Sequence, residues 1–138
     1  MEKKIDIHKA GGVLLKNRRF LITRAKSKDF FVAPGGKVKS GESVQAALKR
    51  ELKEELGIEV DVGDLEKFGT FYAPAAEDED KYLQMDVFLV NKWSGKILPT
   101  GEVEEILWVN SSLPLNTKVG SIFNHDVLPK LKEENLID

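Results

Sequence analysis

With 138 residues, 41% of them hydrophobic and 32% charged, the chain suits one domain with a real core and is too apolar for disorder. Its net charge of −2 excludes the broad basic surface that duplex nucleic acid requires, so a phosphate-bearing ligand must be held by local charges. The absence of cysteine excludes disulfides, thiolate metal sites and a cysteine nucleophile, and it fits a reducing, cytoplasmic setting.

The opening Met1-Glu2-Lys3-Lys4-Ile5-Asp6 is polar and mixed in charge, unlike a signal peptide. No run approaches the roughly 20 apolar residues of a membrane span, so no membrane association is expected. Gly11-Gly12-Val13-Leu14-Leu15 and Phe20-Leu21-Ile22-Thr23 favour strands, and the polar Lys16-Asn17-Arg18-Arg19 between them predicts a hairpin turn. Phe30-Phe31-Val32-Ala33 runs into Pro34-Gly35-Gly36, a strong break. Residues 43–56 contain no helix breaker, and Gly57 stands where a C-terminal cap belongs. Residues 58–62 alternate like a strand, and residues 65–71, 85–90 and 106–109 are further strand candidates. Glu77-Asp78-Glu79-Asp80 reads as a solvated acidic loop. A last helix is expected over residues 122–134, with Pro129 kinking it or marking its first turn. There is no repeat, linker or low-complexity tract, so the economical reading is a single α/β domain, residues 1–138, with a mixed sheet.

The helix over residues 43–56 carries acids on the wrong face. On a wheel of about 100° per residue from Val44, Leu48, Leu52 and Leu56 fall at about 40°, 80° and 120°. Lys49, Arg50 and Lys53 occupy the far side, between roughly 140° and 240°. Glu51 and Glu55 land near 340° and 20°, within the stripe of Val44, Ala47 and Leu48, with Glu54 beside them at about 280°. An acidic helix face is ordinarily solvated, but here the basic residues hold the exposed side. Clustered, partly desolvated carboxylates resist ionisation unless a cation compensates. Mg²⁺ is the natural compensator, because it takes hard oxygen ligands and bridges carboxylates to phosphates. Pro34-Gly35-Gly36-Lys37 offers a glycine loop by which a ligand can approach the backbone closely.

These residues resemble the signature of the Nudix family, G-x5-E-x7-R-E-U-x-E-E-x-G-U with U a bulky aliphatic. The match runs through Gly36, Glu42, Arg50, Glu51, Leu52, Glu54, Glu55, Gly57 and Ile58. The resemblance implies an α/β/α sandwich and a metal-dependent pyrophosphohydrolase. Water would attack phosphorus in the diphosphate linkage of a nucleoside triphosphate or another nucleoside-diphosphate-linked substrate. Mg²⁺ would serve, with Mn²⁺ as a substitute. Glu51, Glu54 and Glu55, joined by the Gly35 carbonyl, look like the metal ligands. Arg50 looks like the residue that orients those glutamates, with its helical pair Glu54 four residues on, and Glu42 like a tether between loop and helix.

In the mutator-type members of the family, a strand ending in Ile-Thr-Arg and a lysine after the paired glycines reach the phosphates. Ile22-Thr23-Arg24 and Lys37 match both. Many members add a glutamate from the loop before a late tryptophan-containing strand. Glu102 suits that spacing best, Glu105 is second, and Glu104 is expected to be a solvated spectator. Glu54 or Glu102 is the expected general base. Asn124 falls near the place of a base-reading asparagine, although it also suits a helix N-cap. His8 and His125 are expected at the surface or in local hydrogen bonds, and Trp93 and Trp108 in packing. Phe71 and Tyr72 are better read as packing residues than as a base-stacking platform. The expected partner is a small nucleotide-like molecule, with the chain a monomer or homodimer. The rival reading is a catalytically silent module that binds nucleotides or ADP-ribose, and the full set of signature glutamates argues against it.

Overall fold

Leu14 divides the first predicted strand between two sheets. In the computed structural model, which describes residues 4–75, 80–120 and 122–138, β1 covers Ile7–Val13 and β2 only Leu15–Lys16. The hairpin expected here does form, between β2 and β3 (Arg19–Ala25), with Leu15 opposite Phe20. Asn17 and Arg18 make its turn with φ of 52° and 59°, a doubly positive geometry that follows the right-handed twist of the strands. β1 itself turns away to the other sheet.

That sheet has the order β4-β1-β6-β5, where β4 is Gly35–Lys37, β5 is Leu65–Pro74 and β6 is Tyr82–Val90. β1 and β6 run parallel, while β4 and β5 pair antiparallel to their neighbours, so the sheet is mixed. The second sheet is antiparallel, β2-β3-β7, with β7 covering Val103–Val109. Asp86, buried on β6, ties three strands of the larger sheet together. It accepts from His8 on β1 at 2.5 Å and from Lys67 and Thr70 on β5, each at 2.6 Å. Burial pushes its carboxyl up, but those three hydrogen bonds outweigh burial and hold it well below the usual carboxylate range.

The helix α1 (Val44–Leu56) starts where expected. Ser43 caps it by accepting from the Ala46 N–H at 3.0 Å, and Gly57, at φ 71°, ends it. Ala47, Leu48, Leu52 and Leu56 are fully buried against Leu14, Leu21, Phe88 and Val90. On the opposite side, Phe20, Ile22 and Val87 pack with Phe123, Val127 and Leu131. Strand alternation therefore feeds two cores, one under each helical layer, and the α/β/α sandwich follows.

Two expectations are corrected. Residues 58–62 form no strand: Ile58 and Val60 are buried, but only Glu59 pairs, with Ser94, and Val62–Asp64 closes into a 3-10 turn. The alternation there reports burial without sheet membership. The last helix forms in two pieces. Phe123–Val127 winds as a wide π turn, in which Leu128 donates to the Phe123 carbonyl, and α2 (Leu128–Glu133) follows with Pro129 in its first turn. Residues 77–79 of the acidic loop lie outside the described residues. Among the described residues no helix is long and apolar enough to cross a membrane.

Candidate active site

The inner face of α1 meets β4 along its edge. Glu55 accepts from the Gly35 N–H at 2.7 Å, and Glu51 lies against Gly36. Both glycines are required by what surrounds them. A Cβ at Gly35 would sit 2.0 Å from the Ala10 carbonyl oxygen, on a backbone with φ of 147°. A Cβ at Gly36 would come within 2.5 Å of the Glu51 carboxyl carbon. The paired glycines thus let two glutamates lie flat against a strand.

Burial, helped by the neighbouring Glu51 and Glu54, pushes the Glu55 carboxyl up to about 8 against the lowering pull of the Gly35 N–H and Lys9. Glu51 is mostly covered, with 17% of its side chain exposed, whereas Glu54 on the flank is 58% exposed. Among the described residues no three acids or histidines converge into a ready-made metal cage. The donor chemistry nevertheless fits a hard divalent cation. Three carboxylates share one helix face, and burial makes the most buried of them resist ionisation.

Arg50 organises the rim. Its guanidinium donates twice to Glu42, both at 2.9 Å, once to Glu51 at 2.7 Å and once to the Lys37 carbonyl at 3.0 Å. Glu54, the helical-spacing partner expected from the sequence, is only at 3.7 Å. Loop and neighbour therefore outcompete the i+4 pair. Glu42 also accepts from the Lys39 N–H, and together with Arg50 this holds its carboxyl down at about 2.

The segment carrying Glu102 docks on the C-terminal turn of α1. Thr100 donates through Oγ1 to the Glu54 carbonyl at 2.6 Å and through its N–H to the Glu55 carbonyl at 2.9 Å. Glu102 follows two residues later, exposed, and no partner for its carboxylate is found among the described residues. Glu104 and Glu105 both accept from Arg24, at 3.1 and 3.3 Å, so Glu104 stays solvated, as expected, and also pairs with an arginine. Arg24 also donates to the Ala25 and Lys28 carbonyls. These four bonds occupy its guanidinium.

Beside the glutamates opens a cavity of about 500 Å³ between the larger sheet and the loops after β3 and before α2. Ile7, Leu83, Met85, Phe30 and Phe123 give it apolar walls, and Glu55, Gly35 and Lys37 also line it. Lys37, expected from the sequence to meet phosphates, is thus among the lining residues. Asn124 is exposed on the π turn, outside the described cavity lining, and it makes no side-chain cap. Sequence reasoning missed Lys9, which lines the cavity directly opposite Lys37. No local pattern marks it, since it becomes visible only through the β1–β4 register.

The family profile described as NUDIX domain matches residues 6–130. A protein of Buchnera aphidicola subsp. Acyrthosiphon pisum (strain APS) named 8-oxo-dGTP diphosphatase is 34% identical over 125 residues, which cover 90% of this chain and 95% of that one. A protein of the same name from Haemophilus influenzae is 37% identical over 115 residues, 79% of each chain. Among solved structures, the Escherichia coli ORF135 protein superposes with a TM-score of 0.76 at 21% identity, covering 94% of this chain and 90% of that one, a likeness of fold. Matched across nearly its whole length by profile and relatives, the chain belongs to the NUDIX family and is an enzyme acting on phosphoric anhydride bonds.

Proposed function

We propose that this chain is a divalent-cation-dependent nucleotide pyrophosphohydrolase that works with Mg²⁺ and accepts Mn²⁺. The observation that carries the reading is Glu55. It is a buried carboxyl raised to about 8 beside two further glutamates, and it lines a nucleotide-sized cavity. Glu51, Glu54 and Glu55 would hold the cation, with the Gly35 carbonyl and, from its docked segment, Glu102. When bound, the cation supplies charge neutralisation and Lewis-acid polarisation of the diphosphate oxygens. The chain's own residues do the rest. Arg50 fixes Glu51 and Glu42 so that the carboxylates cannot rotate away. Glu54 or Glu102, both exposed, accepts the proton of the attacking water. Lys37 meets a phosphate, and the apolar walls exclude water from the substrate's body. Arg24 reaches a phosphate only by leaving Glu104 and Glu105, and Asn124 reads a base only if the π turn rearranges. We rank both below Lys37.

The relatives named for 8-oxo-dGTP make nucleoside triphosphates the first substrates to try. The deciding experiment assays a panel of triphosphates including 8-oxo-dGTP, dinucleoside polyphosphates and ADP-ribose, each with Mg²⁺. Release of pyrophosphate and a nucleoside monophosphate from a triphosphate is expected. Binding of nucleotides with no hydrolysis across the whole panel would favour the silent-module reading.

A further inference from the structure

We propose that Lys9 is a substrate-binding residue that pairs with Lys37 to form a two-cation receptor for a phosphate beyond the scissile linkage. This gives the enzyme a preference for nucleoside triphosphates over nucleoside diphosphate sugars. The inference rests on the reading of the chain as a nucleotide pyrophosphohydrolase and names the substrate class of the same site.

Lys9 and Lys37 are directly opposed in the antiparallel β1–β4 pair. Their neighbours in register, Ala10 and Gly36, face α1: Ala10 is buried in that core and Gly36 abuts Glu51. By alternation both lysines face the cavity, and both line it. Like charges directly opposed across strands destabilise a sheet. An edge strand often carries lysine to block stray pairing, and that explains Lys37 on β4. It does not explain Lys9, which sits half-buried on an interior strand between β4 and β6, with Met85 as its other neighbour.

The charges around the cavity point the same way. Lys9, Lys28, Lys37 and Lys81 line it against Asp6 and Glu55, so it carries an excess of positive charge. No amide, hydroxyl or imidazole side chain is among the described lining residues, so ammonium groups dominate its polar chemistry. The lysine pair also lies two residues along the strand, about 6.6 Å, from Gly35, whose N–H holds Glu55. It is therefore beside the carboxylate cluster, and Lys9 draws the Glu55 carboxyl down from there. Phosphate is the oxyanion a nucleotide brings there, and lysine binds it as a point charge.

The test compares wild type with Lys9→Met and Lys9→Arg in two arms. In the first, kcat and KM are measured for dGTP and for ADP-ribose with Mg²⁺. Lys9→Met should raise KM for dGTP about tenfold or more, leave kcat within about threefold, and spare ADP-ribose, with Lys9→Arg restoring most of the loss. In the second arm, inorganic tripolyphosphate is titrated in chelator and the melting temperature is read. Wild type and Lys9→Arg should be protected and Lys9→Met should not, each shift being read against the same protein without tripolyphosphate. If Lys9 serves only as a structural counter-charge to Glu55, Lys9→Met will lower both substrates' kcat/KM by one factor and keep its tripolyphosphate protection. Either result overturns the proposal, as does an unprotected wild type. If wild type hydrolyses neither substrate, the functional reading fails, and the metal-free arm still decides the role of Lys9.

Discussion

Gly36 and Glu51 touch so closely that the site has no room for a single methyl group between them: a Cβ on Gly36 would lie 2.5 Å from the carboxyl carbon. The clash is with the far end of a flexible side chain. Gly36→Ala should therefore fold with a loss of about 1 kcal/mol or less while turnover falls at least about tenfold, because Glu51 must swing off its Arg50 partner. Gly35→Ala is the contrast. Its Cβ meets a backbone carbonyl at 2.0 Å, which cannot yield, so the cost should be several kcal/mol, of the order of about 3 or more. Thermal melts beside activity assays separate the two.

Glu55 sets a pH window for the metal-free protein. Its folded carboxyl is raised from 4.5 to about 8, so the fold favours its protonated form. That advantage is complete below the ordinary value and is lost as pH rises through 8. The gap corresponds to roughly 4–5 kcal/mol between protonation states. In chelator, wild type should lose stability from about pH 5 to about pH 9, and Glu55→Gln should flatten that slope and melt higher at the alkaline end. Equal slopes in the two proteins would contradict the buried, metal-awaiting carboxyl. The acidic limb has other owners. Glu42 and Asp86 are held low, so their contribution is present above the ordinary carboxylate range and fails only as pH drops well below it.

Removal of Arg50 should cost stability and activity together. Arg50→Ala leaves Glu42 and Glu51 without their shared donor and frees the Lys37 carbonyl. With 23% of its side chain exposed, Arg50 is sheltered enough for a loss of about 1–3 kcal/mol, above the few tenths of a surface helix pair. Arg50→Lys should rescue little, since a single ammonium cannot reproduce the fork. A melt within one degree of wild type would show that the pairs are surface ornament.

The helix glutamates were legible in the sequence because a 3.6-residue period places acids against leucines without any knowledge of tertiary contacts. Gly57 was legible as the C-terminal cap for the same local reason, whereas Ser43, counted within the helix, is its N-cap. What stayed hidden depends on register. Lys9 meets Lys37 across 28 positions, and Arg24 meets Glu104 and Glu105 across about 80, neither of which any local pattern encodes. Residues 58–62 were misread because alternation records burial on either side of an extended segment, paired or not. The split of residues 11–15 between two sheets was equally invisible, since every residue in the run is apolar or glycine.

Three glutamates before the Trp108 strand separate by role. Glu102→Gln should reduce turnover by about tenfold or more at saturating Mg²⁺ with an unchanged melt, since its carboxylate is exposed beside the segment docked on Glu54 and Glu55. Glu104→Gln and Glu105→Gln instead weaken the grip on Arg24, an exposed arrangement that solvent screens, and should leave kcat nearly intact. A severe loss at Glu105 with Glu102 silent would reverse the assignment.

The most direct test of the account is cation-dependent turnover in wild type and Glu54→Gln on the panel's best substrate. In excess chelator the wild type should release no product, recover fully when Mg²⁺ or Mn²⁺ is restored, and lose several orders of magnitude, about a thousandfold, on Glu54→Gln with its circular dichroism unchanged. Full turnover in chelator, or a Glu54→Gln enzyme as fast as wild type, would contradict the carboxylate-held cation at the centre of this site.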